Sequence, residues 1–307
     1  MYKNPKRFLV KKINIFCHDK YIDKVKATLK YLEIEIQFNN YSISLDNTDG
    51  IICHYRYHEL SEEKSQFLVD CLNRGAWVEP LSSFIEGRYG YMEAEILHSG
   101  YFLHQKSFSI LTHQRNKVIK RIIDLGSAIS LLILSLPISL VTMIAIKLES
   151  PGPVFFKQKR TGLFNKEFEV IKFRSMRNDA EKNGAQWATK NDARVTKIGA
   201  FIRKTRIDEL PQLINVLKGE MSMVGPRPER EVFIETLEKS IPYYRFRHAV
   251  KPGITGLAQV RYPYGASLED AIWKHKYDMY YIKHQSYLQD IKILLLTVKV
   301  VLFGMGR

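Results

Sequence analysis

The sequence predicts two folded parts: a small Rossmann-like α/β domain over residues 1–110, and an α+β membrane-associated domain over residues 111–307 with one re-entrant hydrophobic helix at about 122–147. Three observations predict this. Strand-like and helix-like runs alternate through the first 75 residues. A run of 22 uncharged residues, Leu125–Ile146, follows. The charge balance also differs between the two parts. Residues 1–110 hold 14 basic and 14 acidic side chains, whereas the rest hold 33 and 18, which is the whole formal charge of +15. An anionic partner therefore belongs to the second part: a membrane surface, a nucleic acid or a phosphorylated substrate.

In the first part, Ile13–Cys17 is a β-branched run, followed by a helical stretch from about Tyr21 to Leu32. Ile34–Phe38 alternates like a strand and Gly50–His54 looks like a buried one. Glu62–Asn73 has apolar residues at helical spacing and stops at Arg74-Gly75. Strands alternating with helices indicate a mostly parallel sheet. The first strand leads into His18-Asp19-Lys20, where a dinucleotide fold needs glycines to admit phosphate. The domain has the outline of a Rossmann half without its phosphate cradle, and reads as accessory. Cys17, Cys53 and Cys71 form no CxxC pair, which argues against a disulfide framework and a cysteine zinc site and suits buried thiols in a reducing compartment. Met1–Pro5 begins no apolar run, so no cleavable signal peptide is expected.

The uncharged run meets the length of about 20 residues needed to cross a bilayer. Its flanks are basic on both sides: Lys117, Lys120 and Arg121 before it, Lys147, Lys157, Lys159 and Arg160 after it. A spanning helix keeps its basic flank on the cytoplasmic side alone. Pro137 sits mid-segment, where it removes a backbone donor and bends the helix, and Ser135 and Ser139 are placed to satisfy the freed carbonyls. This pattern favours a helix that dips into one leaflet and returns to the same face. With 45% hydrophobic residues, the chain is too polar for a polytopic membrane protein.

Val154–Phe156 and Phe168–Phe173 read as strands around a turn at 162–166, and Val195–Lys204 as a basic helix. Trp273, Tyr277, Tyr280 and Tyr281 share a helical stripe that suits either core or an interfacial aromatic belt. Leu288, Ile291, Leu295, Val298 and Leu302 form a second stripe, to pack on the domain or lie in lipid headgroups.

The chemistry concentrates at Arg203-Lys204-Thr205-Arg206-Ile207-Asp208-Glu209-Leu210-Pro211. Leu210, Leu213, Ile214 and Leu217 predict a short amphipathic helix that ends at Gly219, so the two acids stand at a helix N-terminus. Acidic residues are routine there as caps. Two carboxylates among three cations also suit a site holding Mg²⁺ and a diphosphate together. Gly225-Pro226-Arg227-Pro228 presents one guanidinium on a stiff backbone. Lys251-Pro252-Gly253-Ile254-Thr255-Gly256 pairs a cation with a glycine loop, either a structural turn or a cradle of backbone amides for an anion. Neither HExxH, GxSxG nor a P-loop is present.

Together with Lys120–Asp124, Lys172-Phe173-Arg174-Ser175-Met176 and Asn215–Ser222, these motifs in this order resemble the bacterial sugar transferase family, the monotopic phosphoglycosyl transferases. The resemblance covers roughly residues 115–307. It implies transfer of a sugar 1-phosphate from a UDP-sugar to undecaprenyl phosphate with Mg²⁺, releasing UMP, on the cytoplasmic face of the bacterial inner membrane. It further implies Asp208 and Glu209 as the catalytic, metal-holding pair and Arg203, Arg227 and Lys251 as anion-binding cations. The sugar is not legible in the sequence, and a homodimer is left open. Three departures stand out: Leu136 before Pro137 where a serine is usual, Ala193 in place of the usual proline, and Arg206 where a small polar residue is common. The N-terminal part resembles, less closely, the soluble α/β domain of longer relatives, without the four spanning helices those carry ahead of it. A nucleic-acid-binding role is disfavoured, because the cations surround paired carboxylates that repel phosphate unless a metal intervenes. A non-catalytic membrane-tethered scaffold is the remaining alternative.

Overall fold

The computed structural model describes residues 12–42, 50–104, 114–180, 192–262, 265 and 267–302. Met1–Pro5 and the junction at 110–111 lie outside them. The chain divides into two units, Met1–Leu103 and His104–Arg307.

In the first unit, strands β1 (Lys12–Phe16), β2 (Glu35–Phe38), β3 (Gly50–His54) and β4 (Val78–Pro80) form one sheet in the order β2-β1-β3-β4. Every pairing is parallel. Helices α1 (Ile22–Leu29), α2 (Glu62–Asn73), α3 (Leu81–Tyr89) and α4 (Ser99–His104) accompany it. A parallel sheet is covered on both faces, which is why Ile13, Ile15, Phe16 and Cys53 are all fully buried in consecutive apolar runs. The expected order of strands and helices is realised; β4 and α3, too short and too polar to signal themselves, were not anticipated. After β1 no glycine cradle forms. The Cys17 amide donates to Asn39 Oδ1 at 3.0 Å, and Asp19 is held by Lys64 at 2.7 Å. All three cysteines are buried free thiols, and burial pushes Cys17 up to about 11.

The second unit begins with α5 (Gln114–Glu149), which runs through Pro137 as one helix. Its segment from Lys117 to Glu149 is long and apolar enough to cross a membrane. The helix exceeds the uncharged run because the basic flank of Lys117, Lys120 and Arg121 continues it. Ser135 does not answer the carbonyl that Pro137 frees: its hydroxyl donates to Leu132 O at 3.3 Å, one residue short of Ile133. A side chain at that position reaches its own preceding turn, not the one the proline opens.

Both ends of the apolar run are fastened to the same unit. At one end Arg121 donates to Val216 O and Leu217 O at 2.5 and 2.8 Å, and Asp124 accepts the Met223 amide at 3.1 Å. At the other, the buried Arg174 donates to Ile146 O, Ser150 O and Pro151 O, capping the negative end of the helix dipole. Between these clamps Ile133, Leu134, Leu136, Ile138, Leu140 and Val141 are exposed.

Strands β5 (Phe155–Thr161) and β6 (Glu167–Phe173) form an antiparallel hairpin. Helices α6 (Lys197–Lys204) and α7 (Gln212–Lys218) follow, then β7 (Ser222–Val224), α8 (Glu231–Leu237) and β8 (Gly253–Thr255), with β8 parallel to β7. The unit ends in α9 (Leu257–Arg261), α10 (Leu268–His284) and α11 (Tyr287–Leu302). Asn215, fully buried, ties α7 to β6: it accepts from the Ile171 amide at 3.0 Å and donates to Glu169 O at 2.7 Å.

The stretch from Lys251 to Gly256 is no amide cradle. The Gly253 amide donates to Pro226 O and the Gly225 amide to Thr255 O, both at 2.9 Å. A Cβ on Gly253 would come within 2.1 Å of Gly225 N, so the glycines serve close backbone packing. Of the aromatic stripe, Tyr281 belongs to the core and donates to Val224 O and Asp290. The stripe on α11 faces outward: Leu288, Ile291, Leu295 and Val298 are exposed, whereas Asp290 and Ile293 are buried.

Candidate active site

Asp208 and Glu209 lie in a 3₁₀ turn, Ile207–Glu209, directly before α7. The turn is entered through Arg206 in the left-handed conformation, with φ 61°. Ile207 and Leu210 on either side pack against the cluster of Ile146, Phe173 and Ile202, which fixes the acids between α5, β6 and α6. Both acids are buried, 8% and 7% exposed, and buried carboxylates need partners.

Among the described residues, only Glu209 has hydrogen-bond or ion-pair partners. Glu209 Oε1 accepts from Arg227 Nη2 at 2.7 Å and Lys172 Nζ at 3.3 Å, and Arg206 Nη1 lies 3.7 Å away. Burial pushes the Glu209 carboxyl up, but Arg227, Lys172 and Arg206 together outweigh it and hold the group below the usual carboxylate range. Asp208 shows the reverse. Its Oδ1 is buried with no hydrogen-bond partner, and burial, with the adjacent Glu209 charge, raises it above the usual range. Four residues on, Gln212 is 2% exposed and its Nε2 also lacks a partner. Adjacent carboxylates in opposed electrostatic environments carry different tasks. Glu209 is clamped by cations, whereas Asp208 Oδ1 is open to a further bond.

Of the cations expected at this site, the structure brings Arg227 to the pair. Arg203, in the last turn of α6, acts on Asp192, which pairs with Arg194 at 2.5 Å. Lys251 lies at the far end of α7. A Cβ on Gly219 would stand 3.5 Å from Arg121 Nη2 and 3.7 Å from Lys251 Nζ, and burial, aided by Arg121, pushes the Lys251 amine down. Lys172 and Arg206 also stand beside Glu209. Lys172 was legible as a polar residue inside the apolar strand Phe168–Phe173. Arg206 was legible as one of the three cations beside the acids; its left-handed backbone, which sequence does not announce, accompanies its approach to Glu209.

Among the described residues no group of three or more His, Cys, Asp or Glu side chains comes together. The donor set nevertheless fits Mg²⁺, which takes one or two carboxylates and completes its octahedron with water and substrate phosphates. Asp208, with its unpartnered Oδ1, and Glu209 would hold it.

A family model described as bacterial sugar transferase matches residues 115–304. The chain is 41% identical over 258 residues to a UDP-N-acetylgalactosamine-undecaprenyl-phosphate N-acetylgalactosaminephosphotransferase of Aeromonas hydrophila, covering 84% of this chain and 60% of the relative. It is 45% identical over 185 residues to a UDP-glucose:undecaprenyl-phosphate glucose-1-phosphate transferase of Escherichia coli, covering 60% and 40%. It is also 44% identical over 187 residues to the exopolysaccharide production protein PSS of Rhizobium leguminosarum, covering 59% and 94%. The chain thus spans 60% and 40% of the first two relatives, less than two thirds of each, whereas the match takes in nearly all of the third.

Proposed function

Because the chain belongs to the bacterial sugar transferase family, we propose that it transfers a sugar 1-phosphate from a UDP-sugar to undecaprenyl phosphate, releasing UMP, by way of a covalent phosphosugar on Asp208. The observation that carries this reading is the asymmetry of the buried pair: Glu209 is clamped by Arg227 and Lys172, while Asp208 Oδ1 has no partner. An Asp208 oxygen attacks the sugar-bearing phosphorus, and the bond from that phosphorus to the UMP oxygen breaks. The lipid phosphate then attacks the same phosphorus and restores the carboxylate. Two anions must meet in each step. Arg227, Lys172 and Arg206 offset the charge around them, with Glu209 keeping the three cations in register. Bound Mg²⁺ supplies further charge neutralisation on the phosphate oxygens. The family match over residues 115–304 supports placing this chemistry in the second unit.

The test is UMP release from a panel of UDP-sugars, UDP-N-acetylgalactosamine and UDP-glucose among them, with undecaprenyl phosphate and Mg²⁺ in membranes. Release with at least one donor is expected, and its absence across the panel defeats the reading.

The topology is part of the same proposal. Residues at both ends of the apolar run are hydrogen-bonded to one folded unit, so the run enters and leaves the bilayer on that unit's side. The outward stripe of α11 suits the same headgroup surface. Single cysteines at 117 and 157 in a cysteine-free background are expected to resist an impermeant thiol reagent in intact cells and to react in inverted vesicles. Labelling of one flank from outside indicates a spanning helix instead.

A further inference from the structure

The loop from Pro226 to Glu229 offers four successive carbonyls, and three different elements hold them. Pro226 O accepts from the Gly253 amide at 2.9 Å and Glu229 O from the Thr161 amide at 2.9 Å. Pro228 O accepts from Arg160 Nη1 at 3.4 Å. Arg227 O accepts from Arg247 Nη2 at 3.0 Å. The last donor differs from the rest, because it is a buried charge with its own buried counter-ion. Arg247 is 4% exposed; the same Nη2 donates to Asp278 Oδ2 at 2.7 Å, and Nη1 donates to Tyr244 OH at 2.6 Å.

Burying an ion pair seldom stabilises a fold relative to apolar residues of the same shape, so stability alone does not account for this one. Its geometry offers another reason. Arg227 must keep its Nη2 2.7 Å from Glu209 Oε1, and its side chain starts from the peptide unit that Arg247 grips. Pro228 confines Arg227 to extended ψ, a range of roughly 40° within which its carbonyl still turns. A guanidinium fixed at three points, to α10 through Asp278, to its own turn through Tyr244 and to the loop, narrows that range further.

We propose that Arg247, held by Asp278, is a positioning residue that sets Arg227 for the active-site diphosphate. This rests on the function proposed above. Neither residue reaches the reacting atoms in this scheme; both act through the direction of the Arg227 side chain.

The experiment measures UDP affinity in the presence of Mg²⁺ for the full chain in lipid nanodiscs, together with melting temperature. Replacing the pair jointly, Arg247→Met with Asp278→Leu, leaves no unpaired buried charge. It is expected to weaken UDP binding roughly tenfold, the usual scale for losing a charge-assisted hydrogen bond. In an Arg227→Ala background the same exchange is expected to change affinity by less than about twofold, as coupling through Arg227 requires. A purely structural role would give the same loss in both backgrounds, and that result overturns the proposal. So does unchanged affinity of the paired variant in the otherwise wild-type chain. Should the paired variant fail to fold, Arg247→Lys serves in its place. It keeps the ion pair but cannot span Asp278, Tyr244 and Arg227 O together, so it is expected to melt near wild type while binding UDP more weakly; wild-type affinity overturns the proposal. If Arg227→Ala alone binds UDP as tightly as wild type, Arg227 does not contact the diphosphate and the functional reading itself is at fault.

Discussion

Asp208→Asn is expected to abolish UMP release even when no lipid acceptor is present, with a loss on the order of 10³-fold or more, the scale of removing a nucleophile. The substitution is nearly isosteric and takes a carboxylate away from a site crowded by Glu209, so the fold is expected to survive it. In the wild-type chain, radiolabelled sugar should remain on the protein after an acid quench and be chased off by undecaprenyl phosphate. Near-normal turnover by Asp208→Asn, or transfer with no trapped adduct, refutes the covalent route. Glu209→Gln separates the two acids. It releases Arg227 and Lys172 from their common partner but leaves the attacking oxygen, so it should slow both half-reactions without eliminating the adduct.

Acid sensitivity is the second large effect expected, and it originates in two histidines remote from the dyad. His248 Nδ1 bonds Asn165 Oδ1 at 2.8 Å and His275 Nε2 donates to Pro242 O at 3.2 Å, and the other ring nitrogen of each is buried without a partner. Burial, reinforced by the charge of Arg247, lowers both to about 3. An unfolded histidine titrates near 6.5, so between about pH 6.5 and 3 the unfolded chain binds more protons than the folded one. Each ring therefore contributes stability that is fully present above about pH 6.5 and withdrawn as the pH falls, at up to about 1.4 kcal/mol per pH unit. Asp278, pushed up to about 6 by burial against the pull of Arg247, acts in the opposite direction below that pH. The clean measurement is hence a difference. Denaturant titrations at pH 7 and pH 5 should show His275→Gln losing less stability than wild type over that interval. Equal losses would mean that the folded protein already carries a charged imidazole at this position.

The parts of this protein that sequence reveals are those specified by local pattern. Gly50–His54 and Glu62–Asn73 stand where their apolar spacing puts them, and α7 starts after Pro211 and stops at Gly219, whose φ of 86° a side chain would strain. Asp208, Glu209 and Arg227 were legible because motif chemistry singles them out. The remainder depends on contacts that no local pattern encodes. Lys172 comes to Glu209 across 37 residues through the pairing of β6 with its neighbours, and Arg247 meets Asp278 across 31. Sequence order carries no distance, so it could not tell that Lys251 stands by Gly219 and Arg121 or that Arg203 acts on Asp192. The glycines of 253 and 256 suggested an anion cradle, and the structure uses the same lack of a side chain to press two backbones together.

The double fastening of α5 has a thermodynamic consequence. Arg121 and Asp124 hold one end of its apolar stretch and Arg174 the other, and Ile146 shares a packed cluster with Ile207 and Leu210 beside the acids. Lipid that prefers the helix in this clamped state is thus a ligand of the folded unit as a whole, and stabilises it by mass action as any ligand does. Melting temperature and bilayer composition are then expected to be linked variables, because α5 and the turn bearing Asp208 share one packed cluster.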